Sequence, residues 1–231
     1  MANSFLLVHS PLLGPSSWAA TAGVLVDRGC EVAVPGLTGV AEAAPPLWQR
    51  FIDGATMATE RLQAPIVVVG HSGAGAFLPA IAEHLGDRLS ALVFVDAVVP
   101  PHGGAHETPS ALQSLLDEQT VDGRLRRWLD WWPEDVVGQL LPDPSERELL
   151  RRDMPQLPRS YFDEAVPVPD DWSRRPCAFL KLSHAYQAEY VEAGARGWTR
   201  QKIDGNHLSI LTEPARVVDA IEALSAAAAT R

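Results

Sequence analysis

Short unbroken apolar runs alternate with longer amphipathic stretches along the first hundred positions. Phe5-Leu6-Leu7-Val8, Ile66-Val67-Val68-Val69 and the run 91–95 have no polar interruption. Runs of that length, rich in β-branched residues, predict strands buried on both faces. Another strand is predicted at 31–34, where Pro35 and Gly36 stop it. Helices are predicted at 18–28, 47–62 and about 73–85. Gly29 follows the first of them, where a helix commonly ends on a left-handed glycine. Strands alternating with helices imply a parallel sheet covered on both sides.

The pattern changes after Pro100-Pro101. Residues 101–175 hold no convincing buried strand; helical stretches are predicted near 110–119, 124–132 and 145–152, amid proline and charge. Strands are predicted again at 178–182 and 199–203, and a closing helix at 214–228. The expected architecture is α/β: a mostly parallel central sheet with helices on both faces, one domain over 1–231, and a helical cap insertion at 101–175. An insertion after a strand's carboxyl end lies over the ligand crevice of such a sheet.

The chain has 231 residues, 46% of them hydrophobic, enough for one sizeable core. Its 19 basic and 29 acidic residues give a formal charge of −10, which disfavours nucleic acid and anionic membranes as partners. No segment reaches the ~18–20 apolar residues of a membrane span. The first residues show no basic leader pattern, so a cytoplasmic location is expected. Cys30 and Cys177 sit in apolar runs and read as buried thiols. No histidine pair has metal-ligand spacing with a third ligand, and neither metal nor cofactor is expected. The expected partner is a small-molecule substrate; oligomeric state is not legible.

The most informative stretch is Val69-Gly70-His71-Ser72-Gly73-Ala74-Gly75. A buried strand turns sharply at Ser72 into a helix, the arrangement that exposes a nucleophilic hydroxyl on a strained backbone. Residues two before and two after must be small, and Gly70 and Ala74 are. Ala74 departs mildly from the strict pattern, which has glycine there. A phosphate loop would need a Gly-Lys-Ser/Thr run, and no lysine is present. The Gly73 N–H then opens a helix and is placed to stabilise an oxyanion. His71 should point away from Ser72 and shape the pocket floor.

Asp204-Gly205-Asn206-His207 follows the last predicted strand and precedes Leu208-Ser209-Ile210-Leu211. A histidine in the loop after the last strand is placed to take the Ser72 proton and return it to the leaving group. Among the other histidines, His84 reads as surface, while His102 and His106 flank a Gly-rich run at the start of the insertion and could contact substrate.

The first strand leads into Val8-His9-Ser10-Pro11-Leu12-Leu13-Gly14. That segment, together with Val95-Asp96-Ala97-Val98-Val99-Pro100 and Gly197-Trp198, resembles bacterial α/β-hydrolases related to plant esterases and hydroxynitrile lyases. The resemblance covers nearly the whole chain, weakly in the insertion. It implies an α/β-hydrolase fold, no cofactor and a Ser-His-Asp mechanism on Ser72, His207 and Asp96. The acid of this fold normally follows the strand at 178–182, where the chain reads Ser183-His184-Ala185-Tyr186 with no carboxylate. Asp96, at the end of the preceding strand, is favoured over Glu189 and Asp204. Two departures bear on the oxyanion site. Ser10 replaces a glycine, and Pro11 stands where a backbone N–H is usually supplied, yet proline has none. The Leu12 N–H or the Ser10 hydroxyl could substitute; otherwise no tetrahedral oxyanion is stabilised.

The leading expectation is a serine hydrolase acting on a small to medium, hydrophobic ester, lactone or thioester. The alternatives are a lyase or cyclase on the same scaffold, motivated by the missing acid and Pro11, and a ligand-binding relative. Haloalkane dehalogenation would need an aspartate in place of Ser72. Trp128, Trp131 and Trp132, with Pro11 and His71, are expected to help form an apolar substrate pocket.

Overall fold

The computed structural model describes residues 4–230. Its central sheet has six strands: β1 (Ser4–Val8), β2 (Glu31–Ala33), β3 (Ile66–His71), β4 (Leu89–Val95), β5 (Cys177–Lys181) and β6 (Thr199–Lys202). They lie in the order β6-β5-β4-β3-β1-β2, and every pairing is parallel.

The two-residue period of a strand divides the core into two layers. Phe5, Leu7, Val67, Val69, Val93 and Leu180 face α1 (Ala19–Asp27) and α9 (Pro214–Ala229), against Leu25, Val217 and Ile221. Leu6, Val8, Val68, Phe94 and Phe179 face the other way, onto Phe51 of α2 (Leu47–Ala58) and Leu78 and Ile81 of α3 (Leu78–Leu85). Both faces of β1 and β3 are buried, which is why those runs carry no polar side chain in their middle. Each such side chain contributes roughly 1.5–3 kcal/mol by leaving water.

From the centre of the sheet, β1 leads out to β2 on one side and β3 leads to β4 on the other. The carboxyl ends of β1 and β3 therefore flank a topological switch point, where ligands bind in open parallel sheets.

The stretch between β4 and β5 carries α4 (Ser110–Glu118), α5 (Glu134–Leu140) and α6 (Pro144–Asp153). It also has strand pairing that the sequence reading missed. Gly104–His106 pairs antiparallel with Val166–Val168, and Thr120–Val121 with Arg124–Leu125. The second hairpin replaces the start of the helix expected at 124–132. Its turn is Asp122-Gly123, both at positive φ (50° and 77°), the conformation a two-residue hairpin loop demands. What remains helical there is a 3₁₀ turn, Trp128–Trp131. Leu129, Val137, Leu141, Leu150 and Met154 pack on Leu13, Leu208 and Leu211, so this segment rests on the loops after β1 and β6. Asp153 adds a polar tie, accepting from the Ser16 N–H at 2.9 Å and the Ser16 hydroxyl at 2.6 Å.

α7 (Gln187–Ala195) lies on β5 and β6, and the short α8 (Ser209–Thr212) precedes α9. Among the described residues, no helix is long and apolar enough to cross a membrane.

Candidate active site

Ser72 follows β3 directly and has φ 58°, the left-handed conformation that side chains rarely adopt. The turn is held by neighbours. The Ser72 N–H donates to the Asp96 carbonyl at 3.2 Å, and the Val98 N–H to the Ser72 carbonyl at 3.1 Å. A Cβ on Gly75 would stand 2.1 Å from the Val98 carbonyl oxygen, so only glycine allows the chain after Ser72 to press against that strand end. The strict motif's last glycine has thus moved by one position, and the close approach is made at Gly75.

Asp96 ends β4 in a second strained turn (φ 44°) with its side chain fully buried. Oδ1 accepts from the N–H groups of Leu182 (2.9 Å) and Ser183 (3.0 Å). Oδ2 accepts from the Ser183 hydroxyl at 2.6 Å and from His207 Nδ1 at 2.8 Å. Burial pushes this carboxyl up, but the His207 hydrogen bond and charge, the Ser183 hydroxyl and the Leu182 N–H outweigh it and hold Asp96 at about 2. The carboxylate stays ionised and takes the Nδ1 proton of His207 in a hydrogen bond. That leaves the His207 Nε2 lone pair available as a base. Of the other carboxylates weighed for this place, Asp204 is exposed. Glu189 lies on α7, and its Oε2 is buried without a hydrogen-bond partner among the described residues.

The His207 loop is braced from both sides. Asn206 Oδ1 accepts from the Leu208 N–H at 2.7 Å, and Asn206 Nδ2 donates to the Leu140 carbonyl at 3.2 Å. His71 lies beneath, fully buried, its ring 4.3 Å from that of His207 and edge-on to Trp18. Nε2 of His71 donates to the His207 carbonyl at 3.0 Å; burial holds its pKa well below the usual value, so it is neutral.

Tyr186 was not singled out from the sequence. Its hydroxyl is 3.0 Å from Ser72 Oγ, and its ring stacks on His207 with centroids 5.3 Å apart and planes 11° apart. Burial pushes the phenol well above its usual pKa, so it keeps its proton. Among the described residues, Tyr186 is the hydrogen-bond partner of Ser72 Oγ, and no hydrogen bond joins Ser72 to His207. Tyr186 ends the Ser183-His184-Ala185-Tyr186 run after β5, and no local pattern in that run marks it as a partner of Ser72.

After β1 the chain turns through Ser10-Pro11-Leu12. His9 is buried and pins that turn, with Nδ1 donating to the Ser10 carbonyl at 2.8 Å and Nε2 accepting from the Leu37 N–H at 3.2 Å. Pro11 is against the elbow: a Cβ on Gly73 would meet its Cδ at 3.2 Å. The Leu12 N–H donates to Ser10 Oγ at 3.3 Å, within the loop.

The sequence profile of the alpha/beta hydrolase family matches residues 5–220. The chain belongs to that family. It is hydrolase-like in kind, and solved hydrolases share its fold. A curated relative, a carbendazim hydrolyzing esterase from Nocardioides sp. (strain SG-4G), is 27% identical over 213 residues, covering 88% of this chain and 78% of that protein. A pyrethroid hydrolase from Sphingobium faniae JZ-2 superposes over 100% of both chains with TM-score 0.77 at 18% identity. An extracellular alpha/beta-hydrolase from a Paenibacillus species, described as sharing structural and functional homology with tobacco salicylic acid binding protein 2, does so with TM-score 0.74 at 16% identity, over 97% of this chain and 99% of that one.

In this hydrolase Ser72 opens onto a cavity of about 140 Å³. Ser10, Pro11, Leu12, Gly73 and Tyr186 line it near the serine; Leu112, Tyr161, Phe162 and Val166 form an apolar and aromatic wall, with His106 and Glu164 as polar points. The three tryptophans expected there do not line it. Trp128 stands 5.8 Å from the His207 ring and 6.1 Å from Trp132, and Trp131 donates its indole N–H to the Arg126 carbonyl while packing on the core. The aromatic wall comes instead from Tyr161 and Phe162. His102 is also off the cavity, bonded to Ser173 Oγ at 2.9 Å, and His71 is below it.

Proposed function

We propose that this protein is a serine hydrolase that cleaves a small to medium, hydrophobic ester, lactone or thioester through an acyl-enzyme on Ser72. The observation that carries this reading is the ionised, fully buried Asp96 bonded at 2.8 Å to Nδ1 of His207, in a loop beside a serine held at φ 58° on the cavity wall. In the mechanism, Ser72 Oγ passes its proton to His207 Nε2 and bonds the acyl carbon. The imidazolium is stabilised by Asp96 and then protonates the leaving group; water releases the acyl group in a second round. Free enzymes often show looser contacts between nucleophile and base than their substrate complexes.

The Gly73 N–H, at the start of the 3₁₀ turn Ser72–Phe77, serves as an oxyanion donor. Residues 101–175 act as a cap within a single domain, enclosing the acyl group against Leu112, Tyr161 and Phe162. The esterase name of the 27% relative supports ester chemistry, and carbendazim belongs in the first substrate panel. The lyase or cyclase alternative had the missing acid as one of its two motives, and the geometry of Asp96 weakens it.

The test is intact-mass analysis after incubation with a fluorophosphonate. One adduct is expected on the wild type and none on Ser72→Ala or His207→Ala. A folded wild type that stays unlabelled and cleaves no ester in a panel of acyl substrates would overturn the reading.

A further inference from the structure

We propose that the Tyr186 hydroxyl is the second hydrogen-bond donor to the tetrahedral intermediate, in place of the backbone N–H that Pro11 lacks. This rests on the acyl-enzyme reading of Ser72. An oxyanion hole generally needs two donors, and the loop after β1 is short of one. Pro11 has no N–H, and the Leu12 N–H is turned onto Ser10 Oγ at 3.3 Å. Tyr186 reaches Ser72 from the other side of β3, following β5 rather than β1. Its hydroxyl lies 3.0 Å from the atom that bonds the substrate, and it lines the cavity where that substrate must sit.

The ring is held flat on His207, with planes 11° apart. The hydroxyl is therefore aimed by packing rather than by a flexible arm, and needs no reorganisation as charge develops. When Ser72 Oγ gives its proton to His207 Nε2 and bonds the acyl carbon, the carbonyl π pair moves onto the carbonyl oxygen. That oxygen is one carbon away from Oγ, within the span of a donor that already touches Oγ. It then accepts from the Gly73 N–H and the Tyr186 O–H. On collapse the pair returns, the bond to the leaving group breaks, and the His207 proton goes to the leaving atom. Tyr186 keeps its own proton throughout. Its direct hydrogen bond to Ser72 Oγ distinguishes it from Ser10, the other hydroxyl near Gly73, which instead accepts from the Leu12 N–H.

The experiment is Tyr186→Phe, which removes one oxygen and keeps the ring on His207, run beside Ser72→Ala and Ser10→Ala. With an ester that the wild type cleaves, kcat for Tyr186→Phe should fall roughly 10²–10³-fold, the cost of one lost oxyanion donor, with KM within a few-fold. Affinity for a boronic acid that mimics the tetrahedral adduct should fall in parallel, while affinity for the carboxylate product should not. Ser10→Ala should lose less than Tyr186→Phe. The proposal is overturned if Tyr186→Phe keeps kcat within threefold of wild type while Ser72→Ala is inactive, or if Ser10→Ala loses more. Activity retained by Ser72→Ala would instead remove the underlying functional reading. Should Tyr186→Phe fail to fold, difluorotyrosine placed at 186 preserves the packing and changes only the acidity of the hydroxyl. A changed affinity for the boronate with unchanged affinity for the carboxylate supports the donor role; unchanged affinity for both overturns it.

Discussion

Ser183 donates its hydroxyl to Asp96 across the ends of two adjacent strands, at 2.6 Å. It occupies the place after β5 where the resemblance led one to look for the acid, and it supports a carboxylate supplied from β4 instead. Asp96→Asn tests that carboxylate with little change of shape. The asparagine oxygen can still accept from the Leu182 and Ser183 N–H groups, but its NH₂ then faces His207 Nδ1, which must give up its proton to Nε2. Nε2 can no longer act as a base. We expect kcat to fall by about 10³–10⁴, as loss of the tautomer-fixing acid does elsewhere, while the melting temperature shifts by only a few degrees. Steady-state kinetics and thermal melts check both halves. Activity within tenfold of wild type would remove Asp96 from the mechanism.

Ser72 itself carries a stability prediction. Its left-handed backbone costs a side chain roughly 1–2 kcal/mol, which glycine avoids, though glycine gives back about 0.5–1 kcal/mol in chain entropy. Ser72→Gly should therefore melt at or above Ser72→Ala while both are inactive. If Ser72→Ala is clearly the more stable, the strain at φ 58° is not stored in the folded chain.

Gly75 should be far less tolerant. The Cβ of Gly75→Ala would lie 2.1 Å from the Val98 carbonyl oxygen, a backbone atom that cannot swing away. Either the elbow or the turn after Asp96 must move, at a cost of about 1–3 kcal/mol. Lower urea midpoint and loss of fluorophosphonate labelling are expected together. Full labelling would show that the elbow keeps its shape without that contact.

Much of this site was legible because its positions are fixed by backbone requirements that leave a mark in sequence. The unbroken run Ile66-Val67-Val68-Val69 ending in Gly70-His71-Ser72 can be read as a strand and a strained turn without knowing what surrounds it. The loop carrying His207 follows from its place after the last strand, and Asp96 from being a carboxylate at a strand end. Tyr186 left no such mark. A tyrosine in a 3₁₀ turn has no period or motif, and only the tertiary fold brings it to Ser72. The tryptophans failed for the converse reason: clustering in sequence does not say what each ring packs against, and in the fold Trp131 packs on the core, Trp128 stands beside the His207 ring and Trp132 is exposed.

Two buried histidines give the fold a pH dependence. His9 and His71 are both held below the ordinary histidine value, chiefly by burial. As pH falls below about 6.5 the unfolded chain takes up protons at these sites that the folded chain refuses, so stability drops through that window. At more acid pH the Asp96 contribution, present above the normal carboxyl range, is lost in turn as pH falls toward about 2. Melting temperature should decline from pH 7.5 to 5.5, and His71→Gln, whose amide can still donate to the His207 carbonyl, should flatten part of the decline. A flat profile in the wild type would contradict the buried, neutral state of both rings.

On the proposed acyl-enzyme reading, the cavity beside Ser72 favours small acyl groups. At about 140 Å³ it is close to the volume of an engineered apolar cavity that holds benzene. Acetyl, butyryl and benzoyl esters of one alcohol should therefore be turned over, and acyl chains too long for this space should lose kcat/KM. Ala76 lines the cavity on the turn after Ser72 and is itself buried. Ala76→Leu would fill part of that space without touching Asp96 or His207. Benzoyl esters should then lose at least about tenfold in kcat/KM, the scale on which a few methylenes discriminate in an apolar pocket, while acetyl esters change little. Equal losses for both would mean that the acyl group binds elsewhere; a loss that follows the alcohol rather than the acid would assign the cavity to the leaving group and turn the substrate around in the site.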